Sequence, residues 1–235
     1  MSDKNMKYDG ERYIPGQTAQ NVREDHERRY RHVKRTIKGK RILDIACGSG
    51  FGIQILSSVS PEIVGVDYSF EAVNFAKQNF MRRVDGGVRA NASSIPFADN
   101  SFDSVVSFET VEHLRKPVKF LKEIKRVLVR NGQFYISTPV KKGNHLDQYH
   151  LHEYGIGEFI ELLSRFFSVE KIEGQRFMFS PLFSLFSLEL VNNLKRISFV
   201  KSFYRSCYGK DEIKPLASAG WFTPNFILVT CKNEK

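Results

Sequence analysis

Glu109, Glu112 and His113 fall at i, i+3 and i+4 in FETVEHL, a spacing that sets three side chains on one face of a helical turn. Two carboxylates and an imidazole can do two kinds of work. They can take a proton from an oxygen nucleophile, or they can hold a hard divalent cation that lowers the hydroxyl's pKa. Further along, STPVKKGNHLDQYHLHEY supplies His145, His150 and His152, any of which could join the group if the two loops converge. A metal site, a metal-free histidine base and a purely structural ion-pair cluster all fit this pattern.

A second constellation precedes it. In RILDIACGSGFG an apolar run enters Gly48, Gly50 and Gly52, residues that permit positive φ and carry no Cβ to keep a ligand off the backbone. Nineteen residues after Gly48, VGVDYS ends its apolar run in Asp67, an acid placed to accept both hydroxyl protons of a ribose. A glycine turn plus an acid is also the dinucleotide fingerprint. The spacing here is G-x-G-x-G rather than G-x-G-x-x-G, and Asp44 at the strand end would repel a pyrophosphate but suit a cation. The alternative for Asp44 is a turn acid bonded to local amides.

These residues need elements to hold them. Apolar runs alternate with amphipathic stretches from Arg41 onward, the pattern of βαβ units on a parallel sheet. Strands are expected at Arg41–Ile45, Ile63–Asp67, Val88–Asn91, Ser104–Phe108, Gln133–Ser137, Val169–Ile172 and Phe226–Cys231. Helices are expected at Phe51–Ser57, Phe70–Arg82 with Ser69 as its cap, Pro117–Val129 and Gly157–Phe166, with Asn131-Gly132 as a stop and turn. The expected fold is therefore α/β: a Rossmann-like, seven-stranded, mostly parallel sheet with helices on both faces. A single domain is divided into an N-terminal helical cap over residues 1–38, a core over 39–174 and 224–235, and a long insertion over 175–223 between the last two strands. Within the insertion, FMFSPLFSLFSLELV packs four Phe into fifteen residues, more than a monomer's surface readily exposes. A lid that doubles as a homodimer contact is expected there, with core packing or peripheral membrane contact as alternatives.

Taken in order, LDIACGSGFG, VGVDYS, NASSIPFADNSFDSVVSFETVEHL and LKEIKRVLVRNGQFYISTP resemble the successive motifs of class I S-adenosylmethionine-dependent methyltransferases. The resemblance covers about residues 41–138 and implies S-adenosyl-L-methionine as cofactor. It implies that Ala46, Cys47, Gly48 and Gly50 pass the methionine end, with Asp44 near the ammonium. Asp67 would hold the ribose, Tyr68 would lie on the adenine face, Asn91 and Ala92 would meet its edge, and Phe108 would stand nearby. Asn91 departs from the Asp that the family often has there. The E-x-x-E-H cluster with a later histidine resembles metal-using O-methyltransferases, which implies Mg²⁺ or Mn²⁺ on Glu109, Glu112, His113 and His150. The His-Glu-Tyr at 152–154 singles out His150 and His152, beside His113 and Glu109, as catalytic candidates. The N-terminal GERYIPG resembles a bacterial subgroup linked to surface-polysaccharide assembly. It brings in Tyr13 and Arg12 as residues that could close over the methionine end, Arg12 being equally suited to cap a helix.

Bulk properties narrow the setting. Three scattered cysteines among 235 residues make no disulfide framework and suit a reducing cytoplasm. No apolar run is long enough to span a bilayer. The net charge is +10, with nine Lys/Arg against three acids between Arg23 and Arg41, which fits either solvated helix faces or an anionic partner. The expected activity is methylation of an oxygen on a saccharide or on a nucleotide- or lipid-linked sugar. An RNA ribose methyltransferase and an inactive binding module are the alternatives.

Overall fold

The computed structural model describes residues 20–80, 86–141, 147–179, 212–218 and 222–234. Tyr13, Arg12, His145 and most of the Phe-rich segment lie outside these residues. The elements run α1 (Gln20–Lys34), β1 (Arg41–Ile45), α2 (Phe51–Leu56), β2 (Glu62–Asp67), α3 (Phe70–Asn79), β3 (Gly86–Arg89) and β4 (Phe102–Phe108). A 3₁₀ turn at Val111–His113 leads to α4 (Pro117–Val127), β5 (Leu128–Pro139), α5 (Ile156–Ser164) and β6 (Ser168–Phe179). The chain ends with β7 (Lys214–Pro215), a second 3₁₀ turn and β8 (Phe222–Lys232).

The sheet order is β3-β2-β1-β4-β5-β8-β6-β7. β3, β2, β1, β4 and β5 run parallel, and β8 pairs antiparallel with both β5 and β6. Strand alternation sends neighbours to opposite faces. Ile42 joins Tyr30, Val33, Ile53, Leu56 and Ala76 beneath α1, α2 and α3. Leu43 joins Phe120, Leu121, Ile124, Phe159 and Leu163 beneath α4 and α5. The carboxyl ends of β1, β2 and β4 therefore open onto one rim, where ligands bind in such sheets.

Among the described residues eight strands form, not seven. The extra one is the two-residue edge β7, and Lys-Pro carries no strand pattern; its proline is tolerated because an edge strand can spare a donor. β6 and β8 extend beyond their apolar cores, β6 running to Phe179 and β8 starting at Phe222. Asn131-Gly132 does not stop the helix. α4 ends at Val127 with Leu128 as its C-cap, and Asn131 takes φ 61° inside β5 while donating its amide to the Asn233 carbonyl. The two residues kink a long strand whose pairing with β4 shifts register there. Ser69 caps α3 as expected, its hydroxyl accepting from the Ala72 amide at 3.2 Å.

Part of the basic run at 23–41 lies on the solvent face of α1, which ends at Lys34. Arg23 and Arg31 pair with Glu27, and Arg28 pairs with Glu24. Arg29 is the exception, because it is buried.

Candidate active site

A cavity of about 720 Å³ opens on the rim formed by the β1, β2 and β4 ends. Its floor is the glycine turn. Ala46, Gly48 and Gly50 all take positive φ, at 57°, 53° and 85°. Ala46, Cys47, Gly48 and Ser49 line the cavity, whereas Gly50 serves as the N-cap of α2 and does not. Nothing lies within 4 Å of where a Cβ on Gly48 would stand. That open space faces the cavity, so Gly48 leaves room for a ligand beside the backbone.

Asp67 ties the floor to the next loop. Its Oδ2 accepts from the Gly48 amide and its Oδ1 from the Ser69 amide, both at 2.9 Å. A carboxylate offers about four acceptor positions, so about two remain for a diol. Tyr68 beside it is 69% exposed, with the Arg89 guanidinium 6.0 Å from its ring centre, and its open face suits a flat heterocycle. Asn91 and Ala92 also line the cavity. The Asn91 side-chain oxygen accepts from the Ser93 amide at 2.8 Å, so one of its two acceptor positions serves its own turn. Phe108 is buried at the end of β4 and lines the cavity.

Asp44 does not line it. The carboxyl is fully buried and accepts the Tyr30 hydroxyl, at 3.0 and 3.1 Å to its two oxygens. Burial pushes its pKa up to about 8, against the pull of that hydrogen bond, with Asp67 adding to the rise. Tyr30, whose hydroxyl holds Asp44, does line the cavity. Tyr30 lies in the α1 cap, and nothing in its local sequence marks it as a site residue. His26, one turn earlier, shares the same wall.

The acidic cluster divides. Glu109 takes φ 50° before the 3₁₀ turn, so it does not share a helical face with Glu112 as the i, i+3 spacing suggested. Glu109 and His113 line the cavity; Glu112 does not. Glu109 accepts the Ser137 hydroxyl at 3.0 Å and lies 3.9 Å from the buried Arg29 guanidinium. Glu112 is fully buried, with Thr138 donating to Oε2 at 3.2 Å and Oε1 without a hydrogen-bond partner among the described residues. Burial, and then the Glu109 charge, hold its carboxyl well above the usual range.

The loops after β4 and β5 converge as expected. His113 Nδ1 lies 3.1 Å from the Tyr149 carbonyl oxygen. A carbonyl only accepts, so this partner places the proton on Nδ1 and makes Nε2 the basic nitrogen. The His150 ring stacks edge-on at 5.0 Å, its Nδ1 held 2.9 Å from Glu153. Ligand atoms of Glu112, His113 and His150 lie within 4.8 Å of one another. Glu109 is not in that group, nor is His152, which is 48% exposed and bound to Glu158 at 2.7 Å. His152 is thus drawn out of the expected catalytic set by a partner on α5. Beyond His113 the rim carries Arg115, Lys116 and Lys119, three cations that the motif reading did not single out.

A glycine-floored cavity at the parallel strand ends, with an acid after β2 and an acid–histidine loop after β4, is the arrangement that the sequence resemblance to class I S-adenosylmethionine-dependent methyltransferases implies. The comparisons give methyltransferases as the proteins that this chain is similar to. Residues 43–136 match the family described as a methyltransferase domain. A probable S-adenosylmethionine-dependent methyltransferase of Mycolicibacterium smegmatis is 33% identical over 162 residues, covering 66% of this chain and 62% of the relative. Another of Mycobacterium tuberculosis is 29% identical over 161 residues, covering 66% and 58%. The chain thus spans less than two thirds of the length of these relatives. Among solved structures, the YcgJ protein from Bacillus subtilis superposes with a TM-score of 0.64 at 19% identity, over 89% of this chain and all of that one. A Haemonchus contortus phosphoethanolamine N-methyltransferase, solved with S-adenosyl-L-methionine, superposes at 0.57 and 19% identity, over 91% and 53%.

Proposed function

We propose that the protein transfers the methyl group of S-adenosylmethionine to a hydroxyl oxygen of a saccharide carried on a nucleotide or lipid phosphate, in the cytoplasm. The observation that carries the reading is the single cavity shared by the Gly48–Asp67 cradle, by Glu109 and His113, and by Arg115, Lys116 and Lys119. The open face at Gly48 and the spare acceptor positions on Asp67 fit the nucleoside. Glu109 and the basic Nε2 of His113 fit an alcohol that must lose its proton as its oxygen attacks in line. The three cations fit an acceptor that carries phosphate. The cofactor supplies an electrophilic methyl group. The chain orients the hydroxyl, receives its proton and shields the transfer from water.

The test is transfer of radiolabelled methyl from the cofactor to purified sugar nucleotides, to bacterial glycolipids and to RNA. Label in a sugar fraction supports the reading, label in RNA supports a ribose methyltransferase, and cofactor binding with no transfer to any fraction supports a binding module.

Glu112, His113 and His150 favour one second reading. An orphaned, buried carboxylate oxygen lies beside two histidines whose Nδ1 atoms are engaged by Tyr149 and Glu153, the outer-shell arrangement that orients metal ligands. These three residues would hold Mg²⁺ or Mn²⁺, and such an ion would lower the pKa of the acceptor hydroxyl. Chelation followed by replacement of the ion decides between the two.

A further inference from the structure

A second cavity, of about 630 Å³, adjoins the first. Leu114 and Arg115 line both, so the two meet along a single stretch of chain. That stretch changes character residue by residue. His113 lines the first cavity, Arg115 and Lys116 are exposed cations on its rim, and Pro117 at the start of α4 lines the second. Leu151 and Leu162 extend the apolar part of the second lining. Leu114 and Leu162 rest on the core beneath α4 and α5, whereas Leu151 is 51% exposed. The backbone at Leu151 is nevertheless fixed, because the Leu151 and His152 amides both donate to the Glu112 carbonyl, at 2.9 and 3.2 Å.

We infer, on the saccharide reading above, that the second cavity holds the hydrocarbon chain of a lipid phosphate, with the phosphate on Arg115 and Lys116 where the two cavities meet. The acceptor's carrier is then a lipid and not a nucleotide. Charge sorts the parts of such a molecule. The rim of the first cavity carries Arg115, Lys116 and Lys119, whereas in the second Arg115 and Arg165 are matched by Glu158 and Glu161. An anion is drawn to the rim, and the balanced second cavity is left to the apolar part. Leu151 presents apolar area there that a chain laid over it would remove from water. The rings argue against a base. Tyr154 is 4% exposed and packs against His152 at 4.4 Å and Phe159 at 5.3 Å, so it has no open face for stacking. The other apolar side chains of this lining, Leu114, Pro117, Leu151 and Leu162, are aliphatic.

Isothermal calorimetry on the full-length protein, in the presence of S-adenosylhomocysteine, should compare octyl phosphate below its micelle concentration with ethyl phosphate and uridine diphosphate. Octyl phosphate should bind about fiftyfold more tightly than ethyl phosphate, the gain expected when roughly half of the added chain leaves water, and more tightly than uridine diphosphate. Leu151→Asp should remove about tenfold of that gain and leave ethyl phosphate unchanged. Arg115→Ala should weaken both alkyl phosphates about threefold. Val59→Asp, at an exposed apolar residue that lines neither cavity, should change nothing. Equal affinity for the two alkyl phosphates, tighter binding of uridine diphosphate, or a Leu151→Asp loss no larger than that of Val59→Asp would overturn the inference. Methyl transfer to sugar nucleotides by a protein that does not bind octyl phosphate would overturn it too and leave the saccharide reading intact. Octyl phosphate bound as expected, with label reaching RNA alone, would sink the saccharide reading and keep the lipid-phosphate site.

Discussion

Replacing Asp44 by Asn tests whether the glycine turn conceals a carboxyl that is costly to ionise. Asp44 is fully buried, its one polar contact across the turn is the Tyr30 hydroxyl, and its pKa in the folded protein is about 8 against an ordinary 3.8. The folded state therefore holds this proton through a range in which the unfolded chain has lost it. A carboxyl with a raised folded pKa makes stability fall as pH climbs from about 4 to about 8, and the loss levels off above that. At about 1.4 kcal/mol per pH unit, the interval amounts to about 6 kcal/mol. Asn cannot ionise, so the variant lacks this slope. It carries instead a pH-independent cost of about 1–3 kcal/mol for an added buried N–H without a partner. Asp44→Asn should be the less stable protein near pH 4.5 and the more stable one near pH 9. Urea denaturation followed by far-ultraviolet circular dichroism at half-unit pH steps measures both curves, and the other titrating groups cancel in their difference. A stability difference that stays constant across this range would refute the reasoning. It would mean that the carboxyl is already ionised in the fold, or that water reaches it.

Asp67→Ala should weaken S-adenosylhomocysteine binding by about 1.5–3 kcal/mol, the size of a hydrogen bond to a charged group; unchanged calorimetric affinity would remove Asp67 from the ribose assignment. Gly52→Ala should destabilise the protein by about 1–3 kcal/mol, because the new methyl group meets the clamped Tyr30 ring; a thermal midpoint equal to wild type would show that the ring moves freely. Excess EDTA should abolish methyl transfer and Mn²⁺ or Mg²⁺ restore it if Glu112, His113 and His150 hold an ion, with Glu112→Gln behaving like the chelated enzyme. Full turnover in EDTA would leave His113 acting without metal. Lys116→Glu with Lys119→Glu should raise KM for a phosphate-bearing acceptor about tenfold and flatten its salt dependence; an unchanged KM would detach the basic rim from acceptor binding.

The βα alternation, the glycine turn and the acid at Asp67 were legible in the sequence because each is a local requirement. A strand needs its apolar run, a tight turn needs residues that tolerate positive φ, and a helix start needs a cap such as Ser69. The convergence of His113 and His150 was legible as well, since the loops after adjacent strands β4 and β5 must meet at one rim. Other features could not be read locally. Whether Asn131-Gly132 ends a helix or kinks a strand depends on the Asn233 carbonyl, about a hundred residues away, that receives its amide. Glu109 and Glu112 share a face only if the turn is regular, and the left-handed backbone at Glu109 turns one into the cavity and leaves the other in the core.

The sequence by itself determined the class of fold, the glycine turn with its following acid and the presence of an acid–histidine loop, because short-range spacing and backbone sterics specify all three. Only the tertiary structure decided which of those side chains reach the cavity. Asp44 is sealed behind Tyr30, His152 is held outward by Glu158, and Tyr30 itself comes from a helix whose own sequence signals only solvated charge. These outcomes depend on which distant groups pack together and which buried polar atoms find partners, and no local pattern encodes that.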